Sequence, residues 1–251
     1  MKVKVVNLTG LHLLNVLKIK NTIIVASIVL VALVFSLFAK IYRGDAETSE
    51  AYAKAEKIII IDAGHGGEDV GATGVNGVYE KDLNLAISKI IGEMLTEKDY
   101  TVVYTRTEDK LLYKESENIK GMRKISDLKN RCKIATEYPS AVFISVHMNS
   151  FGEEQYSGLQ VYYSTKNKES EKLANSIQVN VKKELQPENN RKIKEGRDIY
   201  LLENMSNVAV LVECGFLTNP QEAEKLSQKE YQKILSFAIV CGIIEYMNTK
   251  S

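Results

Sequence analysis

The sequence predicts an α/β fold, with a mostly parallel central sheet of about six strands flanked by helices on both faces and an N-terminal transmembrane or signal segment ahead of it. Three observations predict it. Short β-branched runs recur at Ile58–Ile61, Ala141–Ile144 and Val208–Val212, as buried strands do. Stretches of helical spacing separate them, so strands alternate with helices and the sheet is covered on both faces. Each run also leads straight into a polar island: Asp62-Ala63-Gly64-His65-Gly66-Gly67, Ser145-Val146-His147-Met148-Asn149, and Glu213-Cys214-Gly215-Phe216. In open α/β sheets the working groups gather beyond the carboxyl ends of the strands. Two histidines and a glutamate are therefore expected on one sheet edge.

The elements follow in order. Ile58–Ile61 is the first strand and Gly64–Gly77 a glycine-rich loop. Leu83, Ile87, Ile90/Ile91 and Met94/Leu95 predict a helix over Tyr79–Glu97, with Glu80 on the same inward stripe. Thr101–Tyr104 is a strand, and a mostly polar loop runs on to Lys120. A helix over Met122–Tyr138 ends at Pro139, and the next strand is Ala141–Val146. Leu159–Tyr163 alternates as a strand, Glu169–Leu185 is helical, and Asp198–Leu202 is read as a short strand. Val208–Val212 is a central strand, and Asn219-Pro220 opens a final helical region through Tyr246.

The chain has 251 residues, 45% hydrophobic and 26% charged, enough for one main domain with a proper core. Its formal charge of +1 and lack of a dense Lys/Arg patch argue against nucleic acid. Cys132, Cys214 and Cys241 have no motif spacing and are expected to be buried and inert.

Thr22–Ala39 is uncharged and apolar, about 27 Å long as a helix, close to a bilayer core. Lys2, Lys4, Lys18 and Lys20 precede it, so the positive-inside rule puts residues 1–21 in the cytoplasm and the rest outside. The expected order is anchor or signal at 22–39, linker at 40–56 and catalytic domain at 57–249. A cleaved signal peptide is the rival to an uncleaved anchor, and both export the domain.

Zinc binds imidazole and carboxylate, and a catalytic site keeps three protein ligands with one position open. His65, Glu80 and His147 are the candidate set. Glu80 on an apolar stripe is costly as an unpaired charge, and a metal would relieve that. The competing reading is a glutamate favoured by the helix N-terminus. Glu213 ends a wholly apolar strand, where a carboxylate is suited to act as general base on water activated by a metal. The competing reading is a salt bridge to a neighbour such as Arg131. Cys214 points to the opposite side of its strand from Glu213, which disfavours a Cys214–His147 nucleophile pair. Glu68 and Asp69 argue against phosphate in the glycine loop.

The stretch from about Ile58 to Tyr246 resembles the zinc-dependent N-acetylmuramoyl-L-alanine amidase catalytic domain of the amidase-3 type. The matching motifs are Asp62-x-Gly-His-Gly-Gly with Asp69, Glu80-Lys81-Asp82-Leu83-Asn84-Leu85, Leu128-x-x-Arg131, Phe143 through Asn149, and Leu211 through Asn219. Val70, Thr136 and Asn207-Val208 depart from the usual pattern without touching a ligand. The resemblance implies that His65, Glu80 and His147 bind Zn2+ and that Glu213 is catalytic. It also implies peptidoglycan as substrate, cut between the lactyl group of N-acetylmuramic acid and L-alanine. The build is closest to sporulation and germination-specific members, implying cortex modification toward muramic lactam. The apolar segment at 22–39 gives the expected membrane link, and a regulatory protein partner, timing of expression and weak zinc affinity are the candidate means of restraint. The span from His147 to Glu213 leaves little room for the autoinhibitory helix of cell-division members. A catalytically idle wall-binding protein and a zinc peptidase acting on the stem peptide are the alternatives.

Overall fold

A computed structural model describes residues 20, 26–40, 43, 57–113, 116 and 122–249. The chain divides into two units, Met1–Ala53 and Lys54–Ser251. In the first unit residues 26–40 are helical, with exposed apolar side chains from Ile28 to Phe38. Among the described residues no helix is long and apolar enough to cross a membrane. Residues 22–25 of the expected span and the linker at 44–56 lie outside the described residues.

The second unit runs β1 (Ile58–Ala63), α1 (Glu80–Thr96), β2 (Thr101–Tyr104), α2 (Arg123–Glu137), β3 (Val142–Asn149) and β4 (Gln160–Tyr163). It continues with α3 (Glu169–Glu184), β5 (Lys194–Glu195), α4 (Tyr200–Glu203), β6 (Val208–Phe216), α5 (Pro220–Ser227) and α6 (Lys229–Asn248). One six-stranded sheet has the order β2-β1-β3-β6-β4-β5. All its pairings are parallel except β4 with β6, so the sheet is mixed.

Both parities of the central strands are apolar because both faces are covered. Ile59 and Ile61, Val142, Ile144 and Val146, and Val210 and Val212 pack with Ile87 and Ile91 of α1, Leu173 and Ile177 of α3, and Leu235 and Ile239 of α6. On the other face Ile60, Phe143, Ala209 and Leu211 meet Cys132 and Ala135 of α2 and Leu201 and Leu202 of α4. Each buried Ile or Leu contributes about 1.5–3 kcal/mol on this account.

Three expectations change. Asp198–Leu202 is not a strand: the edge strand is Lys194–Glu195, and residues 200–203 form a helical turn. Leu201 and Leu202 are adjacent and both buried, and one turn of helix packs both into the same core cluster with Cys132 and Ala135 of α2. β3 and β6 run on past their apolar stretches through Asn149 and Phe216, so His147 and Glu213 stand within paired strands. The final helical region breaks at Gln228, whose extended backbone separates α5 from α6. Asn219 caps α5 by accepting from Glu222 N at 3.0 Å, with Pro220 at the first helical position.

Candidate active site

The site starts where β1 ends. Two buried arginines hold the chain there by its carbonyls. Arg131 on α2 donates through Nη1 to Asp62 Oδ1 (2.6 Å) and Ala63 O (2.7 Å), and through Nη2 to His65 O (2.8 Å). Arg106, just past β2, donates through Nε to Ala63 O (2.8 Å) and through Nη2 to Gly64 O and Lys81 O (both 2.9 Å). Asp62 is fully buried and also accepts from Thr105 Oγ1 (2.7 Å) and Ser145 Oγ (2.6 Å). Burial alone would raise its pKa, but Arg131 and the two hydroxyls outweigh that and hold it below the ordinary value. His65 itself has φ 60°, a left-handed conformation uncommon outside glycine. The clamp on its carbonyl offsets that strain.

Glu80 is the first residue of α1 and 4% exposed. Its Oε1 lies 2.9 Å from His147 Nδ1 and 3.2 Å from His65 Nε2, and accepts from Met148 N at 3.1 Å. Its Oε2 accepts from Ala72 N at 2.8 Å. Burial opposes its charge, but the two imidazoles prevail and drive its pKa well below the carboxylate range. Burial likewise pulls His65 down, yet Asp69 and Glu80 push it up to about 9. Asp69 Oδ2 sits 2.9 Å from His65 Nδ1 as an ion-pair contact without hydrogen-bond alignment. The two imidazole rings meet edge to face at 4.9 Å.

Two glycines make the approach feasible. A Cβ on Gly64 would fall 2.2 Å from His147 Nε2, and one on Gly71 would fall 2.5 Å from Glu80 Oε2.

Glu213 is the register partner of His147 in the parallel pair β3–β6, so both side chains leave the same face. One of its oxygens, Oε2, is buried with no hydrogen-bond partner. Arg131 is spent on Asp62 and Asp127, not on Glu213. Burial, with Glu80 nearby, outweighs the attraction of the histidines and pushes its pKa up to about 7. Cys214 is buried in the core on the opposite face, which removes it from the site.

The donor set fits a zinc ion. One atom from each of His65, Glu80 and His147 lies within 4.8 Å of the others. Donors at the corners of a tetrahedron with bonds of about 2.0–2.1 Å stand about 3.3 Å apart, close to the 2.9 and 3.2 Å observed around Glu80 Oε1. The orphaned Glu213 oxygen is a buried acceptor that no protein donor satisfies, as expected where a bound group completes a site.

The family profile described as N-acetylmuramoyl-L-alanine amidase matches residues 59–245. The chain belongs to this amidase family. The germination-specific N-acetylmuramoyl-L-alanine amidase of Bacillus subtilis is 36% identical over 194 residues, covering 77% of this chain and 81% of the relative. The CwlD amidase of Clostridioides difficile, solved in complex with the GerS lipoprotein, superposes with TM-score 0.74 and 38% identity, over 76% of this chain and 98% of that one. An N-acetylmuramoyl-L-alanine amidase from Clostridium difficile 630 gives TM-score 0.68 at 31% identity, over 77% and 98%.

In this amidase His65, Glu80 and His147 converge, and Glu213 stands in register with His147. The sequence placed Asn84 in a matched motif without a role and gave no role to Arg106. Asn84 Nδ2 donates to Gly64 O at 3.1 Å, and Arg106 appeared only as the start of a polar loop. The signal for Asn84 was an amide one helical turn after Glu80. Arg106 carried no local signal, because the carbonyls it clamps at the end of β1 lie 42 and 43 residues away. Where the family pattern has proline, Asn207 donates to Tyr138 O and Ala141 O and ties the start of β6 to the α2–β3 turn.

Proposed function

We propose that this amidase is a zinc hydrolase whose metal is held by His65, Glu80 and His147 and whose general base is Glu213. Its substrate is the peptidoglycan amide between the lactyl group of N-acetylmuramic acid and L-alanine. The observation that carries the reading is a buried carboxylate oxygen with no partner on the strand beside three converging ligand atoms. A zinc ion there supplies Lewis acidity, polarising the scissile carbonyl and lowering the pKa of a water toward about 7. Glu80 and the backbone donors Ala72 N and Met148 N fix the ligand cluster. Glu213, raised to about 7, is suited both to take a proton from water at Oε2 and to return one to the leaving amine. An idle wall-binding protein has no use for such a carboxylate, whose burial without a partner costs stability.

The biological reading is cortex modification in spores, supported by the germination-specific relative. A regulatory protein partner is supported by the lipoprotein bound to the structural neighbour. We assign the catalytic domain to the extracytoplasmic side, with residues 22–39 as anchor or signal and 40–56 as linker. A zinc peptidase acting within the stem peptide would release different products.

The test is mass spectrometry of muropeptides after digestion with the zinc-loaded protein, with Glu213→Gln as control. Free peptides beginning with L-alanine, absent in the control, are expected. Products cut inside the peptide would replace the amidase assignment with a peptidase. Zinc occupancy of His147→Ala, measured alongside, is expected to be lost; full occupancy would remove His147 from the ligand set.

A further inference from the structure

A cleft of about 630 Å3 is lined by residues from the β3–β4 loop, the segment after α3, and α5. Arg191 forms part of its wall and connects it to Glu213. Gln160 of β4 is the antiparallel register partner of Glu213, so their side chains leave the sheet on the same face. Gln160 Oε1 accepts from Arg191 Nη1 at 3.2 Å. The guanidinium also lies over the ring of Phe216, three residues past Glu213, at 4.4 Å, and 5.9 Å from the ring of Tyr156.

Arg191 is half-buried, and among the described residues no carboxylate comes within ion-pair distance of it. Its Nε is used on Ser157 O at 2.7 Å and its Nη1 on Gln160, but no hydrogen bond among the described residues uses Nη2. A guanidinium fixed by stacking and two hydrogen bonds, with a donor edge left over, is preorganised for a planar anion. The acidic group nearest in kind, Glu222, is already committed: Oε1 accepts from Gly158 N (3.0 Å) and Oε2 from Phe216 N (2.8 Å). Lys225 adds a second positive charge to the same cleft, which Glu188 and Glu222 also line, and both cations act on Glu222.

The substrate supplies the matching group. A peptide that continues from L-alanine bears carboxylates, at its end and on any acidic residue. We propose that Arg191 is a specificity-determining residue that reads a carboxylate of the peptide portion of the substrate, in the cleft alongside Glu213. The inference rests on the family's amidase activity and on Glu213 marking the reacting end.

The test measures binding rather than turnover. The full chain is titrated with L-alanyl-D-glutamyl-L-lysine as the free acid, and with the same peptide amidated at every carboxyl. Wild type is expected to bind the acid about tenfold more tightly, the scale of one charge-assisted hydrogen bond. Arg191→Met is expected to bring the two forms within about twofold, and Arg191→Lys to fall between. Equal affinity of wild type for acid and amide would overturn the proposal. So would an Arg191→Met protein that loses both forms by the same factor, since that is collapse of the cleft wall rather than loss of a reader. If Arg191→Met does not fold, the wild-type ratio and Arg191→Lys decide. A failure of the Glu213 assignment is seen separately, as turnover retained in Glu213→Gln.

Discussion

Arg131 and His65, 66 residues apart, are joined by a 2.8 Å hydrogen bond from the guanidinium to the histidine's carbonyl. The same guanidinium neutralises Asp62 and Asp127, all at 4% side-chain exposure or less. Removing it strands two buried carboxylates and frees a strained backbone at once. Arg131→Met is expected to cost about 3–5 kcal/mol of stability, read as the shift in urea unfolding, and to weaken zinc binding about 10–100-fold, read by chelator competition. Unchanged zinc affinity in the folded variant would mean that the clamp serves the fold alone.

Gly64→Ala makes a sharper geometric test, because the added carbon would fall on the His147 ring, 2.2 Å from Nε2. The ring has to move away from Glu80. Loss of zinc on dialysis is expected in a protein that stays folded by circular dichroism. Full zinc retention would show that His147 binds from another direction.

Glu213→Gln keeps the shape and removes the proposed base. A fall in kcat of about 10²–10⁴-fold is expected with zinc content unchanged, since Glu213 is outside the ligand cluster. Near wild-type turnover would reject the base assignment.

Asp62 contributes to the acid limb of stability, alongside Glu80 and Asp69, whose folded pKa values are also lowered. Burial opposes its ionisation, but Arg131, Ser145 and Thr105 hold its folded pKa below the unfolded value of 3.8. Its contribution is therefore full above 3.8 and is lost as pH falls from there through the lower folded value. Asp62→Asn is expected to flatten the stability profile below about pH 4 relative to wild type. Parallel acid limbs in the two proteins would place the acid sensitivity elsewhere.

Much of the fold was legible because it is written locally. The β-branched runs gave the three central strands, and Leu83, Ile87 and Ile91 gave the first helix, since periodicity records which side chains face a core. The two-residue strand period also separated Glu213 from Cys214 correctly, and the core position of Cys214 bears this out. Asp198–Leu202 failed for the same reason in reverse. A five-residue segment is too short to display a period, and its conformation follows from two leucines packing under α2.

The sequence by itself determined the α/β class and marked the strand ends and His65, Glu80, His147 and Glu213 as candidates for the chemistry. These depend on residue type and near-neighbour spacing. Only the tertiary structure decided the antiparallel entry of β4, the pairing of Arg131 with Asp62 instead of Glu213, the double arginine clamp on the Ala63–His65 carbonyls, and the position of Arg191 next to Gln160. Each of these joins residues distant in the chain, and the partner of a buried charge is set by which groups the sheet order brings within hydrogen-bond reach, a relation that local spacing does not encode.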